Sequence, residues 1–319
     1  MPGKPCFYSL LTSLLLLTAC GHEDGDQDVA NTGPVTIERT GYLKQDKLLE
    51  ASGMHASRSH DGDFFVHNDE GKPRLYVIDE KGSDLGNITV VPAKNKDWED
   101  ITSIPVDGNK RWLVAGDIGD NMARRKYIKL YFFEEPAPGK KKKRYKGEVD
   151  LQHWIDLTYP DGPRDCESLA YDPVGEQILL LSKRDKPARL YAIDLKTALS
   201  ERNAELTFVG EISSLRPPTP ADREQFGGRT DFISQPTGLD ISSDGSEAVI
   251  ITYRSIYRFK RNPDEDWLSA FQRKPIEVVG PPAPQNEAIA YSADGQFIYV
   301  TTEKIPAPVF RIRFNDKDE

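Results

Sequence analysis

The chain has 319 residues, and its 51 Asp and Glu against 42 Lys and Arg give a formal net charge of −9 at pH 7. An acidic surface repels the phosphate backbone of DNA and RNA, so nucleic acid is excluded as an expected partner. A chain of this length buries enough apolar surface to fold as one domain without disulfides or structural metal ions.

The N-terminal segment has the layout of a secretory signal. A single charged residue, Lys4, precedes a leucine-rich run from Leu10 to Leu17 that is shorter than the roughly 20 apolar residues needed to span a bilayer. The sequence Leu17-Thr18-Ala19-Cys20 resembles the bacterial lipobox, which implies cleavage before Cys20, lipidation of its thiol and tethering to a membrane. The same resemblance implies that Gly21 favours sorting to the outer membrane of a Gram-negative cell, facing the periplasm. The alternative is an ordinary signal with an incidental cysteine.

Three segments are therefore expected. Residues 1–19 form the signal peptide, residues 20–34 form the lipidated Cys20 and a flexible acidic tether, and residues 35–319 form one folded domain. Cys166 is left without a disulfide partner, and we expect it to be a buried, unreactive thiol.

The remainder of the chain is dominated by a repeated pattern of β-strands. Each unit opens with a strand in one common frame, continues through a turn that is Asp-Gly in four of the five units into a second apolar strand, and reaches an alternating third strand. The predicted strands of the first two units are Ser52–Ala56, Phe64–Val66, Arg74–Ile78 and Asn87–Val91, then Glu99–Ser103, Trp112–Val114, Ile128–Phe132 and Val149–Leu157. Those of the next two are Glu167–Tyr171, Ile178–Leu181, Arg189–Ile193 and Leu206–Ile212, then Thr237–Ile241, Val249–Ile251, Ser255–Phe259 and Pro275–Val279. The last unit has Glu287–Tyr291, Phe297–Val300 and Val309–Arg313.

The last unit lacks a fourth strand, and the segment Val35–Arg39 can supply it by pairing the two ends of the chain in one sheet. The sequence therefore predicts an all-β fold, a closed β-propeller of five blades with four antiparallel strands each. Six blades remain the alternative if the stretch Ser213–Pro236 contains a degenerate blade. We interpret that stretch, which is rich in Pro and Gly, as an insertion loop.

The first residue of each opening strand is expected to face the propeller axis. These residues are Ser52, Glu99, Glu167, Thr237 and Glu287. Three glutamates brought close together repel one another unless a cation compensates, and calcium, which prefers six to eight oxygen ligands, is the predicted cofactor.

The ends of the second strands provide a second set of polar residues near the axis. This set comprises Asn68, Asp117, Lys183, Tyr253 with Arg254, and Glu303. We predict Asp117 as a metal ligand together with Glu99, Glu167 and Glu287. The predicted ligand-binding residues are Ser52, Asn68, Lys183, Thr237, Arg254 and Glu303. The alternative is a purely structural network in which Lys183 and Arg254 neutralise the glutamates.

Two further features concern catalysis. The segment Ala115–Asn121 combines glycines with oxygen-bearing side chains, which suits it to bending around a cation or an anionic substrate; a simple turn that closes a hairpin is the alternative. His55 and His67 are candidate bases, although a histidine in a strand is more often packed and hydrogen-bonded. No Gly-x-Ser-x-Gly, His-Glu-x-x-His or Cys-x-x-Cys motif is present, so no catalytic residue is assigned.

The motifs Trp-Glu-Asp-Ile at Trp98–Ile101 and Gly-Asp-Ile-Gly-Asp-Asn at Gly116–Asn121 resemble those of a family of bacterial exported propellers. More distantly, the chain is similar to gluconolactonase-type and phytase-like or esterase-like propellers, in which central acidic residues hold calcium. The expected function is a membrane-tethered propeller that binds a small molecule or protein at its acidic centre, with calcium. The alternative implied by the distant resemblance is a metal-dependent hydrolase of an ester, lactone or phosphoester.

Overall fold

The computed structural model describes residues 29–31, 35–108, 110–140, 144–226, 230–281 and 285–315. The predicted signal peptide and the predicted lipidation site at Cys20 lie outside these residues. None of the helices in the described part of the chain is long and apolar enough to cross a membrane.

The fold is all-β, as predicted, and most of its strands belong to five consecutive units. The N-terminal strands are β1 (Val29–Asn31) and β2 (Val35–Tyr42). Unit 1 contains β3 (Ala51–Ala56), β4 (Asp63–Asn68), β5 (Arg74–Asp79) and β6 (Asp84–Val91). Unit 2 contains β7 (Trp98–Asp107), β8 (Lys110–Asp117), β9 (Ile128–Glu134) and β10 (Tyr145–Thr158).

The remaining units follow the same order of strands. Unit 3 contains β11 (Cys166–Asp172), β12 (Gln177–Ser182), β13 (Ala188–Asp194), α1 (Leu195–Ser200) and, after the short strand β14 (Asn203–Glu205), β15 (Thr207–Ile212). Strand β14 pairs parallel with β10 and so belongs to the sheet of unit 2. Unit 4 follows α2 (Pro220–Phe226) and contains β16 (Pro236–Ile241), β17 (Glu247–Thr252), β18 (Ser255–Lys260), α3 (Trp267–Gln272) and β19 (Ile276–Val279). Unit 5 contains β20 (Asn286–Tyr291), β21 (Ile298–Thr302) and β22 (Pro308–Phe314).

The opening strands of the five units contact one another in a closed cycle. Strand β3 contacts β7, β7 contacts β11, β11 contacts β16, β16 contacts β20, and β20 contacts β3. Apolar side chains of neighbouring units form five clusters among the described residues, and one of these clusters joins unit 5 to unit 1. Each sheet is therefore covered on both faces, which explains why the second strands are almost continuously apolar.

The N-terminal strand completes the sheet of unit 5. Strand β2 pairs antiparallel with β22, placing Val35 opposite Phe314 and Ile37 opposite Ile312. This pairing confirms the prediction that the segment beginning at Val35 joins the last sheet. Strand β1 extends the same sheet beyond β2, so part of the segment expected to be a tether forms a strand.

The sheets of units 1 and 2 are joined, which the repeat pattern did not predict. Residues Tyr145–Asp150 of β10 pair parallel with Gly86–Val91 of β6, and the rest of β10 pairs antiparallel with β9 after an irregularity between Leu151 and His153. A second difference is the short helix α2 within the predicted insertion loop. No strand lies in the described residues between positions 213 and 235.

Two buried aspartates, each a few residues into its opening strand, form hydrogen bonds to the opening strands of other units. Asp100 Oδ2 accepts hydrogen bonds from the backbone N–H groups of Leu169, at 2.8 Å, and Leu239, at 3.2 Å. Asp240 Oδ2 accepts one from the N–H of Tyr291 at 2.8 Å. These bonds hold strands of different units in register around the centre and thereby fix the positions of the residues above them.

Candidate metal site at the acidic cavity

The opening strands bring Glu99, Glu167 and Glu287 to one cavity of about 450 Å³. Each glutamate is the second residue of its strand, and each is more than 90 % buried. Because the three strands occupy the same place in their units and contact one another in a cycle, residues in a common frame meet at one end of the cycle.

The strongest feature of this cavity is a group of three buried carboxylates. Glu99, Asp165 and Glu167 each offer one oxygen, and these oxygens all lie within 4.8 Å of one another. This acidic triad could hold a metal ion, since carboxylate oxygens are the preferred ligands of hard divalent cations. Asp165 was missed in the sequence analysis because it precedes β11 and lies outside the repeated frame.

Burial and mutual repulsion favour the protonated forms of these carboxylates. Burial, followed by the charges of Glu167 and Asp97, raises the pKa of Glu99 well above its usual value. Burial and the charges of Glu167 and Glu303 do the same to the pKa of Glu287. Burial also raises the pKa of Glu167 to about 7, against the opposing effect of Lys183. A bound cation would replace the protons that these groups otherwise need.

Two cationic side chains offset part of the negative charge. Lys183 forms an ion pair with Glu167, and its ammonium donates a hydrogen bond to the hydroxyl of Tyr253 at 2.9 Å. Burial disfavours the charge on Lys183, but the attraction of Glu167 outweighs it and raises the pKa of the lysine. Arg184 Nε lies 2.6 Å from Asp165 Oδ2.

The cavity nevertheless carries an excess of negative charge. The carboxylates that line it are Asp69, Glu99, Glu167, Glu287 and Glu303, against the cations Lys183 and Arg184. Burial and the charge of Glu50 raise the pKa of Asp69 to about 6. The walls of the cavity thus suit a cationic guest better than an anionic one.

The segment Ala115–Asn121 folds against the acidic triad. Backbone N–H groups of Ile118 and Gly119 donate to the carbonyl of Asp97, and the N–H of Asp120 donates to Asp165 Oδ1 at 2.9 Å. A side chain at Gly119 would place its Cβ 2.3 Å from Glu99 Oε1, so only glycine allows this close approach. The segment therefore positions two members of the triad.

Asp117, predicted as a metal ligand, has a different partner. Its Oδ1 lies 2.7 Å from a guanidinium nitrogen of Arg125, which also donates to the carbonyl of Gly119 at 2.8 Å. Asp117 is not part of the acidic triad. The contact with Arg125 fastens the end of β8 to the loop that follows it.

Of the predicted ligand-binding residues, Lys183 and Glu303 line the cavity. Ser52 lies beside it, and its hydroxyl is 2.8 Å from the carbonyl oxygen of Glu99 and 3.1 Å from Glu99 Oε2, either of which can accept its single proton. The other three make contacts elsewhere. The side chain of Asn68 accepts hydrogen bonds from the N–H groups of Leu49 and Glu50, and the hydroxyl of Thr237 donates one to the carbonyl of Asn286. Arg254 forms ion pairs with Asp222 and Glu277.

Both candidate histidine bases are buried. His67 packs edge-to-face against Trp98, with ring centroids 5.5 Å apart, and burial lowers its pKa to about 4. His55 lies further along β3, where its Nε2 is 2.9 Å from Ser103 Oγ. Cys166 is fully buried, and burial raises the pKa of its thiol to about 12, as expected for an unreactive cysteine.

The fold and the site define an all-β protein with a buried acidic triad at the edge of a cavity. No protein-family model matches the sequence, and no curated protein shows significant similarity to it. Among solved structures, the calcium structure of Trichoderma reesei carbohydrate-active enzymes family AA12 is similar with a TM-score of 0.50 and 10% identity, covering 90% of this chain and 97% of that chain. Kuenenia stuttgartiensis hydrazine synthase has a TM-score of 0.44 and 11% identity, covering 84% of this chain and 98% of that chain. At these identities the likeness concerns the fold alone.

Proposed function

We propose that this chain is an exported, membrane-tethered β-propeller that binds calcium at its acidic centre and, with the ion, a ligand or protein partner. The observation that carries the proposal is the acidic triad of Glu99, Asp165 and Glu167, of which Glu99 and Glu167 line the cavity. Buried carboxylates this close together are costly unless protons or cations compensate their charges.

The proposed architecture has five blades, one for each unit. It is supported by the closed cycle of contacts between opening strands and by the apolar cluster that joins unit 5 to unit 1. The pairing of β2 with β22 gives unit 5 its outer strand. In such a ring no unit is left with an uncovered face, and the N-terminal strand shields the outer edge of β22.

Calcium is the proposed ion because the site offers oxygen ligands from several strands. Glu99 and Glu167 lie on different opening strands, and Asp165 precedes the second of these strands. Glu287 lines the same cavity and provides a further carboxylate. Calcium accepts six to eight oxygens in flexible geometry, so water and the oxygens of a ligand can complete its coordination. The ring of Phe232, 5.5 Å from that of Tyr253, adds an aromatic wall for such a ligand.

The test of calcium binding uses the full chain purified in detergent. Elemental analysis before and after chelation is expected to show calcium, and readdition of calcium to chelated protein is expected to raise the melting temperature. A hundredfold excess of free calcium over Kd stabilises the folded state by about 2.7 kcal/mol. Magnesium, which demands a stricter octahedral geometry, is expected to have a smaller effect.

Variants locate the ion within the protein. Glu99→Gln and Glu167→Gln are expected to abolish the calcium-dependent shift in melting temperature. Glu148→Gln changes an exposed carboxylate on β10 in the same way and is expected to preserve the shift. If the chain holds no metal and calcium leaves the melting temperature unchanged, the salt bridge between Lys183 and Glu167 suffices, and the metal site is refuted.

The membrane tether is proposed from the lipobox-like sequence that ends at Cys20. Mass spectrometry of the N-terminal peptide, from cells expressing the full chain, is expected to show cleavage before Cys20 and acyl chains on it. In fractionated cells the protein is expected with the outer membrane, and Cys20→Ala is expected to prevent lipidation. An unmodified Cys20 at the N-terminus of the mature protein would contradict the lipid anchor.

A further inference from the structure

A second cavity, of about 620 Å³, lies at the opposite end of the opening strands from the acidic triad. Arg58 follows the last residue of β3, and Arg111 lies near the start of β8, beside the end of β7. Both guanidiniums and the ammonium of Lys110 line this cavity, together with Glu134 and Glu135. The two ends of the same strands thus differ in charge, since the triad end is acidic and this end carries an arginine pair.

The two arginines are held by backbone and hydroxyl groups instead of carboxylates. A terminal nitrogen of Arg58 donates to the carbonyl of Ala293 at 3.0 Å. Arg111 donates from Nε to Ser103 Oγ and from a terminal nitrogen to the Ser103 carbonyl, both at 3.2 Å. In the described part of the chain neither guanidinium forms an ion pair with a carboxylate, and the Nε of Arg58 is buried with no hydrogen-bond partner. A buried donor without a partner is uncommon in folded proteins, because the lost hydrogen bond is not replaced.

The positive charges act on one another and on a buried neighbour. Burial and the charge of Arg58 lower the pKa of Arg111. Burial, then the charges of Arg58 and Arg111, lower the pKa of His55 well below its usual value, so this histidine is neutral near pH 7. Both guanidiniums line the same cavity. The charge of Arg58 also opposes the rise that burial causes in the pKa of Asp240, so Asp240 and Glu135 compensate the two positive charges in part.

The carboxylates of the cavity supply a negative partner only in part, although Glu135 Oε2 is buried without a hydrogen-bond partner. Glu135 Oε1 already accepts hydrogen bonds from the hydroxyls of Ser57 and Ser59 and from the N–H groups of Arg58 and Ser59, at 2.6–3.0 Å. Its charge offsets part of the repulsion at Arg111. Glu134 is exposed to solvent. The remaining donors of the two guanidiniums are thus available to an anion from outside the protein.

We infer that this cavity binds an oxyanion, the phosphate or carboxylate group of a small molecule, between the guanidiniums of Arg58 and Arg111. Planar guanidiniums match the geometry of both groups and bind them through paired, charge-assisted hydrogen bonds. Lys110 stands at the exposed rim of the cavity and adds a third positive charge. This site is separate from the calcium site, so each can exist without the other.

The test is isothermal titration calorimetry of the full chain in detergent with inorganic phosphate and, separately, with succinate. The protein is first treated with EDTA and then dialysed into buffer free of calcium and chelator, so that neither calcium nor the carboxylates of EDTA take part, and a titration with sodium chloride measures the effect of ionic strength. At least one of the two anions is expected to bind saturably with one site per chain. The stronger of the two identifies the site as one for phosphoryl or for carboxylate groups.

Matched substitutions assign the binding to the arginine pair. Arg58→Gln and Arg111→Gln are each expected to weaken binding by at least about tenfold, since each removes a charged donor. Arg124→Gln, at an exposed arginine outside this cavity, is expected to leave it unchanged. Arg58→Lys and Arg111→Lys keep the charge and serve as replacements if the glutamine variants fail to fold.

Two results would overturn the inference. One is the absence of saturable binding of either anion to the unaltered chain, which needs no variant. The other is binding that survives both arginine substitutions in folded protein, as judged by circular dichroism and melting temperature.

Discussion

At the scale of single residues, His67 shows how burial determines what a side chain can do. The sequence made it a candidate base near the channel, because it lies in the first unit. In the structure its Nδ1 is 3.1 Å from the carbonyl of Asn68, and its ring packs against Trp98. Burial lowers its pKa to about 4. A histidine held neutral in this way contributes to packing, and its protonation opposes folding.

This shift predicts a pH dependence of stability with a definite sign. Because the folded pKa of His67 is depressed to about 4 from 6.5, the unfolded chain binds the extra proton between these pH values. Stability is fully present above about pH 6.5 and falls as the pH drops towards 4, by about 3 kcal/mol from this residue. We expect His67→Gln to remove that portion of the acid-induced loss in urea unfolding at pH 4.5 and 7. His60→Gln, at a partly exposed position, is the control and is expected to retain it. Equal pH profiles for His67→Gln and the unaltered protein would contradict the assignment.

At the scale of elements, the junction of β6 and β10 depends on a close approach of two backbones. Gly86 of β6 lies opposite Tyr145 of β10 and has a φ of +118°. A Cβ at Gly86 would lie 1.9 Å from the carbonyl oxygen of Tyr145. Gly147, in the same pairing, has a φ of +120°, but a Cβ there would meet no atom within 4 Å. A side chain at Gly147 would therefore cause backbone strain alone, whereas one at Gly86 would cause both strain and a steric clash.

Alanine substitutions at the two glycines test this junction. Gly147→Ala is expected to cost about 1–2 kcal/mol of unfolding free energy, because φ is positive and an L-residue is strained there. Gly86→Ala is expected to cost at least about 2 kcal/mol more, since the same strain is combined with a clash against Tyr145. Urea unfolding of both variants measures the difference. Equal costs would mean that β6 and β10 do not approach as closely as described.

In the turns between the first and second strands of the units, the residue with positive φ does not always occupy the same position. Positive φ at Gly62, Gly245 and Gly295 confirms the Asp-Gly turns predicted there. In unit 3, where the equivalent dipeptide is Val174-Gly175, the residue with positive φ is Glu176. The hairpin still forms because β11 and β12 pair over most of their length and bury both strands. The packing of the two strands thus stabilises the hairpin even though a non-glycine residue has positive φ in its turn.

At the scale of the whole molecule, the two ends of the chain stabilise one sheet. Ile37 of β2 lies opposite Ile312 of β22, and its side chain is 9% exposed within the cluster between units 4 and 5. Ile276 of β19, also on an outer strand, is 39% exposed. If the ring depends on its N-terminal strand, loss of packing at Ile37 destabilises the molecule as a whole.

Truncation of these two isoleucines tests whether β2 stabilises the whole fold or only adds an outer strand to one sheet. Ile37→Ala is expected to lower the free energy of unfolding by about 2–5 kcal/mol, the usual cost of removing a buried isoleucine side chain beyond Cβ. Ile276→Ala is expected to cost less than about 1 kcal/mol, because the site is already solvated. Denaturant unfolding followed by circular dichroism measures both. An unchanged midpoint for Ile37→Ala would show that β2 contributes little to the fold.

Much of the strand framework could be predicted because its signals are local. The five opening strands, the apolar second strands and the alternating third strands each depend on residues within a few positions, and the structure confirms them. The parallel pairing of β6 with β10 could not be predicted, because no neighbouring residues encode which outer edges meet. The helix α2 was missed since Pro and Gly dominate the surrounding stretch.

The sequence by itself determined the recurring strand unit and the common frame that carries Glu99, Glu167 and Glu287, because strand periodicity is written in adjacent residues. Only the tertiary structure decided which charges meet. It added Asp165 to Glu99 and Glu167 and placed Asp117 beside Arg125. It also brought Arg58 and Arg111 to one cavity, where neither forms an ion pair with a carboxylate of the described residues. Electrostatic interactions depend on distances between residues far apart in the chain, and those distances exist only after the units have closed around their centre.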